Sequence, residues 1–252
     1  MIKSIDYLKL HFNDVKLNLI PSKKQKETIR NREQFYASFV NAGDLCFDVG
    51  ANAGNRISPL LAAGAEVVAI EPQESCYRFL NFKFGGRITI VNKGLGEFET
   101  VKDFHISSSN KLSSFSTEWI DSVKKNRFQN YSWDKPLKME MSTLDNLIKN
   151  HGHPAFIKID VEGYELEVLK GLTKPVNIIS FEYTVPEQTG KVIDCIEQIE
   201  KNHPNIECNY SIGEGMIFAK QIWMTVDEMK NHVVSEAFIA TDFGDVYVRI
   251  KR

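Results

Sequence analysis

No C-x-x-C pair occurs in this 252-residue sequence; its four cysteines, Cys46, Cys76, Cys195 and Cys208, are scattered. A structural zinc site is therefore not expected, and the thiols read as reduced groups of a cytoplasmic protein. No apolar run approaches the roughly 18 residues of a membrane-crossing helix, so no integral membrane segment is expected. Residues 1–19 mix charges through their apolar positions, which argues against a signal peptide. An excess of one charge sign is also missing: 31 basic and 33 acidic side chains leave a net charge of −2. That balance calls for no nucleic acid partner, although a local basic patch stays open. Repeats and low-complexity tracts are absent. What remains is a chain with 42% hydrophobic residues, enough for one large domain or two small ones.

The richest stretch is Phe47-Asp48-Val49-Gly50-Ala51-Asn52-Ala53-Gly54-Asn55. Residues 44–47 read as the front of a buried strand and 57–63 as a helix. Glycine lets the backbone between them turn sharply and approach a ligand, and the following helix offers unpaired N–H groups. Such a crevice lies at the carboxyl end of a parallel strand. The spacing is D-x-G-x-N-x-G rather than G-x-G-x-x-G. An acid in the turn repels a pyrophosphate and favours a cationic ligand, and S-adenosylmethionine fits that electrostatics. A tight strand-to-helix connection with no ligand is the plainer reading of the turn alone.

Residues 66–70 form a second expected strand, ending on Glu71-Pro72. An acid at this strand end, about 20 residues past a glycine turn, accepts two hydrogen bonds from a ribose diol. A helix over 73–84, with Cys76, Phe79, Leu80 and Phe82 on its buried side, precedes a strand over 88–91. Asn92 and the Gly94-Leu95-Gly96 backbone are expected to edge an adenine.

Upstream, Ser22 caps a helix reaching Asn41, with Ile29, Phe35, Tyr36, Phe39 and Val40 on its apolar side. Its lysines read as a solvated face, with phosphate contact as the alternative. Residues 1–20 read as an edge hairpin or irregular cap. Downstream, residues 107–137 carry a serine run and then Trp119, Phe128, Tyr131 and Trp133 among Lys124, Lys125 and Arg127. Loops of this length tend to be functional. These aromatic and basic groups either hold a sugar or phosphorylated carrier or lie over the core.

Residues 155–160 read as a central strand that delivers Lys158, Asp160 and Glu162 to its carboxyl end, where open α/β sheets bind ligands. Charges buried there must pair with one another or contact substrate. A fifth strand over 176–181 ends at Glu182. An amphipathic helix over 186–202 and closing strands over 206–212, 216–219 and 246–250 follow, with a helix possible over 226–234. Alternating strands and helices from 44 to 203 argue for one three-layer α/β domain.

The glycine turn, Glu71-Pro72, Thr143-Leu144-Asp145 and the block Lys158-Ile159-Asp160-Val161-Glu162-Gly163-Tyr164-Glu165 with Leu169-Lys170-Gly171 together resemble the FkbM-type S-adenosylmethionine-dependent methyltransferases, in order from about 44 to 183. The resemblance implies a class I methyltransferase (Rossmann-like) fold: a seven-stranded, mostly parallel sheet whose last strand is antiparallel. It also implies O-methylation of a sugar or natural-product hydroxyl, in a glycan or surface-polysaccharide pathway. On that basis residues 1–42 form an N-terminal cap segment and helix, 43–252 the cofactor-binding domain, and 107–137 a substrate or lid insertion.

Methyl transfer needs acceptor oxygen, methyl carbon and sulfur in line, and a hydroxyl needs a base. Asp48, Gly50, Asn52 and Gly54 are expected at the methionine end, Glu71 and Pro72 at the ribose, Asn92 at the adenine, and Asp160 facing the methionine end or the acceptor. Candidate bases are Asp160, Glu162, Glu182 and His105. Asp160, Glu162 and Glu182 also have the oxygen chemistry for magnesium, but no dedicated ligand set stands out and metal independence is expected. The acceptor is expected to be a small molecule or glycan, and a homodimer is possible. Competing readings are a nicotinamide-dependent oxidoreductase, disfavoured by the acidic turn, and a catalytically silent S-adenosylmethionine sensor or scaffold. A nucleic acid methyltransferase is disfavoured by the charge and by the absence of an N-P-P-Y-like motif.

Overall fold

The computed structural model describes residues 22–134 and 136–251. The hairpin or cap expected over 1–20 lies outside these residues. Helix α1 (Lys23–Ala37) begins on Ser22, whose hydroxyl accepts from Gln25 N while the Gln25 side chain accepts from Ser22 N. This capping box satisfies two otherwise orphaned donors. Phe35, Tyr36 and Val40 are buried, whereas Ile29 is 48% exposed. Six residues before Phe35, at 3.6 residues per turn, Ile29 lies about 120° round the helix from it.

Seven strands form the main sheet: β1 (Leu45–Val49), β2 (Glu66–Ile70), β3 (Thr89–Val91), β7 (Phe156–Ile159), β8 (Ile178–Thr184), β9 (Ile206–Ile212) and β10 (Phe243–Ile250). Their order is β3-β2-β1-β7-β8-β10-β9. Neighbours from β3 to β8 pair in parallel, and β10 runs antiparallel to both β8 and β9. This is the mixed sheet expected of a class I methyltransferase. Strand order reverses between β1 and β7, so their carboxyl ends open a crevice. A second sheet, in the order β4-β6-β5, is built from β4 (Gly94–Leu95), β5 (Thr100–Phe104) and β6 (Leu137–Ser142). The chain between β5 and β6 carries α4 (Thr117–Val123).

The main strands are buried on both faces, as parallel strands covered by helices must be. Phe47, Val49, Val68, Ile70, Ile157 and Ile159 enter one core. Cys46, Val67, Ala69 and Phe156 alternate to the other face, beneath Phe35, Tyr36 and Tyr247. Lys158 points to that second, aromatic face, in register with Asp48 and Ser180. All four cysteines are buried.

Two further expectations are corrected. Phe82 is 60% exposed, on the flank of α3 (Glu74–Phe84) away from Cys76, Phe79, Leu80 and Phe84. No strand forms over 216–219, because Gly213 (φ +53°) and Met216 (φ +48°) turn the chain; only Ala219 N reaches back, to Tyr210 O. Gly94 packs tightly within the second sheet, where a Cβ would collide with Met141 and Phe115. Among the described residues no helix is long and apolar enough to cross a membrane.

Candidate active site

Past β1 the chain turns through Gly50 (φ +82°), Asn52 (φ +46°) and Gly54 (φ +75°). Gly50 has to be glycine for space as well as for φ, since a Cβ would collide with the Asp160 carbonyl oxygen. The turn is thereby pressed against the end of β7. Gly54 is needed for a different contact: its missing side chain makes room for Phe84 and Leu80 of α3.

Glu71 leaves the end of β2 and is 2% exposed. Its Oε2 accepts from Asn52 N at 2.8 Å and its Oε1 from Gln73 N at 2.7 Å. Each oxygen keeps a lone pair for one more donor. Burial raises the Glu71 carboxyl to about 7 despite these two bonds. Asn92 lies behind this turn, donating from Nδ2 to the carbonyls of Glu71 (2.8 Å) and Pro72 (3.1 Å). It braces the Glu71 corner from behind and does not line the crevice.

Two residues that the sequence reading passed over, Gln73 and Asn110, complete this corner. The Asn110 carbonyl accepts from Asn52 Nδ2 at 3.0 Å and from Gln73 Nε2 at 2.7 Å, and Asn110 Nδ2 donates to Asn52 Oδ1. The polar run after β5 thus reaches across to the glycine turn.

At the other end of the crevice stand Asp160, Glu162 and Glu182. One carboxylate oxygen from each lies within 4.8 Å of the others. Asp160 follows β7 directly, and Glu182 lies in β8. Glu162 adopts φ +55° before Gly163 at φ +84°, an uncommon conformation that surrounding contacts must hold. Three do so. The Glu165 carboxylate accepts from Val161 N and Gly163 N, both at 3.1 Å; Ser114 Oγ donates to Glu162 O at 2.7 Å; and Trp119 fills the space a Gly163 side chain would need. Burial first, and the Asp160 charge second, hold the Glu162 and Glu182 carboxyls well above the usual carboxylate range. Both carboxyls therefore hold a proton more tightly than a free carboxylate does.

The two ends belong to one cavity of about 510 Å³, a size suited to a small-molecule ligand. Gly50, Asn52, Glu71, Pro72, Gln73 and Asn110 line one end; Asp160, Glu162, Glu182 and Thr184 line the other. Leu112, Phe115, Arg127 and Phe128, all from the chain between β5 and β6, contribute a further wall. Arg127 fastens that wall by ion pairs to Glu187 (3.1 Å) and Asp242 (2.7 Å) and by donating to Val185 O (2.9 Å).

Asp48, Gly54, Asn92 and His105 are not brought to this cavity. Asp48 is 1% exposed, set in β1 on the aromatic side of the sheet. Its Oδ2 has no hydrogen-bond partner among the described residues, and burial pushes its carboxyl up to about 7. A methionine-end contact for Asp48 or Gly54 is thus not supported by their positions. His105 pairs by its backbone with Ser114 and lines a separate cavity with Tyr131 and Trp133, so it is not placed to act as the base.

A family model described as the methyltransferase FkbM domain matches residues 48–228. No curated protein matches the chain. Among solved structures, a TehB-like SAM-dependent methyltransferase from Corynebacterium glutamicum ATCC 13032 Kitasato is 10% identical, with a TM-score of 0.49 over 98% of each chain. An O-methyltransferase from Bacillus cereus in complex with SAH is 13% identical, with a TM-score of 0.43 over 98% of this chain and 90% of that one. A precorrin-6y C5,15-methyltransferase from Geobacter metallireducens GS-15 is 9% identical, with a TM-score of 0.45 over 93% and 91%.

Proposed function

This chain belongs to the FkbM methyltransferase family, whose methyl donor is S-adenosylmethionine, and we propose that it transfers the methyl group to a hydroxyl of a small-molecule or glycan acceptor. The observation that carries this reading is the trio Asp160, Glu162 and Glu182 at one end of the crevice, with the two glutamates held high in pKa by burial. A hydroxyl is a poor nucleophile until a base takes its proton, and a positioned base contributes roughly 10²–10⁴-fold. Raising a carboxylate's pKa makes its ionised form a stronger base.

The cavity suits the donor. Glu71 has one free lone pair on each oxygen for a ribose diol, Gly50 keeps the floor open, and Gln73 with Asn110 walls the adenosine side. Asp160, against the Gly50 turn, is assigned to the methionine ammonium. Bound S-adenosylmethionine supplies an electrophilic methyl carbon on a cationic sulfur and leaves as the neutral thioether. Glu182, with Glu162 beside it, accepts the hydroxyl proton as the oxygen forms its bond to carbon. Leu112, Phe115 and Phe128 hold the acceptor and exclude water.

The reaction is metal-independent in this reading. Its test is transfer of labelled methyl from S-adenosylmethionine to a panel of neutral sugars and alcohols, with and without EDTA. A base-stable methyl ether formed in EDTA, and lost in Glu182→Gln, is the expected result. Label appearing only in an amine or a base-labile ester would overturn O-methylation. Activity lost in EDTA and restored by magnesium would replace the carboxylate base with a cation held by the same three acids.

A further inference from the structure

Among the described residues Lys158 is the one ammonium set wholly inside the aromatic core face, with no exposed surface. Its Nζ lies 2.6 Å from Asp245 Oδ1 and 3.6 Å from Asp160 Oδ2, and donates to Ile159 O at 3.2 Å. Asp245 is itself 2% exposed. Asp160 is the only one of the three that lines the crevice. The chain of charges continues behind Asp245. Arg56 Nη2 lies 3.6 Å from Asp245 Oδ2, while Arg56 Nη1 bonds Glu214 Oε2 at 2.8 Å, which also accepts from Arg32 at 3.0 Å. Signs alternate from Arg32 to Asp160, across α1, the glycine turn, β10 and β7.

Stability is a weak account of this arrangement. Burying an ion pair costs several kcal/mol of desolvation per charge, and a well-filled apolar pair of like volume commonly holds a core as well or better. The neighbours of Lys158 on its face include Tyr36, Phe156 and Tyr247, where an apolar side chain would fit. What an apolar side chain would not do is grip a carboxylate at the crevice edge. Asp245 matters for the same reason: by neutralising Lys158 it leaves the Asp160 charge available to a ligand cation.

We propose that Lys158, anchored by Asp245, is a positioning residue that holds the Asp160 carboxylate at the crevice edge for the ammonium of the methionine end. This rests on the assignment of Asp160 made above. The test uses calorimetric binding of two probes, S-adenosylhomocysteine and 5′-methylthioadenosine, which differ in that the second lacks the amino-acid end. Lys158→Met alone takes from the buried Asp245 its nearest cation, leaving only the longer Arg56 contact, and is expected to destabilise the fold, so the informative protein is Lys158→Met/Asp245→Leu, checked for folding by its thermal melt.

The double variant is expected to bind S-adenosylhomocysteine about tenfold more weakly than the parent and 5′-methylthioadenosine within about twofold. Unchanged binding of S-adenosylhomocysteine, or an equal loss for both probes, overturns the proposal. Asp160→Asn separates the two layers of argument. If it binds both probes like the parent, the Asp160 assignment is wrong; if it loses S-adenosylhomocysteine selectively and the double variant does not, only the role of Lys158 is wrong. Should the double variant not fold, Asp245→Asn, which keeps the ammonium, is read the same way: a selective loss supports the proposal and an unchanged ratio of the two affinities overturns it.

Discussion

The two ends of the crevice are held by different forces. At the Glu71 end the backbone does the holding: left-handed turn residues, two N–H donors on one carboxylate, and a carbonyl of Asn110 shared by two side chains. At the Glu182 end charge dominates, with three carboxylates crowded together and the nearest buried cation, Lys158, behind them. Backbone hydrogen bonds fix a carboxylate in place and favour its ionised form; crowded, desolvated carboxylates hold their protons instead. The first end suits a ligand that is only held, and the second suits one that reacts.

That contrast predicts that neutralising the proposed base at the reactive end abolishes chemistry and leaves binding intact. Glu182→Gln is expected to lower methyl transfer by about 10²–10⁴-fold with little change in affinity for S-adenosylhomocysteine. Equal losses in rate and cofactor affinity would move Glu182 out of the proton-accepting role. At the holding end a steric change should hurt most. Gly50→Ala forces a Cβ onto the Asp160 carbonyl at a φ that L-residues resist, and is expected to cost about 2–4 kcal/mol of stability. For a chain of this size that lowers the melting temperature by roughly 5–15 °C. A variant melting like the parent would mean the turn yields freely, and the rigid-floor picture would fail.

Glu71→Gln is the milder perturbation there. It keeps the shape but removes a charge-assisted acceptor, so affinity for S-adenosylhomocysteine should fall by about 10–100-fold while the fold survives. Adenine alone, which has no ribose diol, should bind both proteins alike. A matching loss for adenine would place Glu71 elsewhere than at the ribose.

Much of the holding end is legible in the sequence because its parts are close together. The glycine turn and Glu71-Pro72 are separated by one helix and one strand; at the reactive end, Lys158 to Glu165 is likewise a single block. What sequence reasoning missed is long-range. Asn110 meets Asn52 and Gln73 across 58 and 37 residues, and Lys158 meets Asp245 across 87. No local pattern marks such pairs. Asp48 and Gly54 were misplaced for another reason: the D-x-G-x-N-x-G spacing tells which residues turn but not which face each side chain takes. In a strand buried on both sides, as β1 is, alternation sends Asp48 toward Lys158 and away from the crevice. His105 shows the limit of residue type alone, since the sequence held nothing to say which surface of the β5–β6 excursion it would occupy.

The smallest expected effect concerns protons at the holding end. Glu71 sits near 7 because burial outweighs its two backbone bonds. A ribose diol offers donors, and donors favour the ionised acid. Cofactor binding should therefore lower the Glu71 pKa and release a fraction of a proton near pH 7. The sign follows: affinity for S-adenosylhomocysteine should rise a few-fold between pH 6 and pH 8, as the free protein sheds the proton that binding would otherwise have to displace. Calorimetry in buffers of different ionisation enthalpy reads the released proton directly. Asp48 also titrates near 7, but it lies off the crevice wall, so Glu71→Gln should remove most of the pH dependence. Proton release that persists undiminished in Glu71→Gln would shift its source to Glu162 and Glu182, and the division between a holding end and a reacting end would no longer stand.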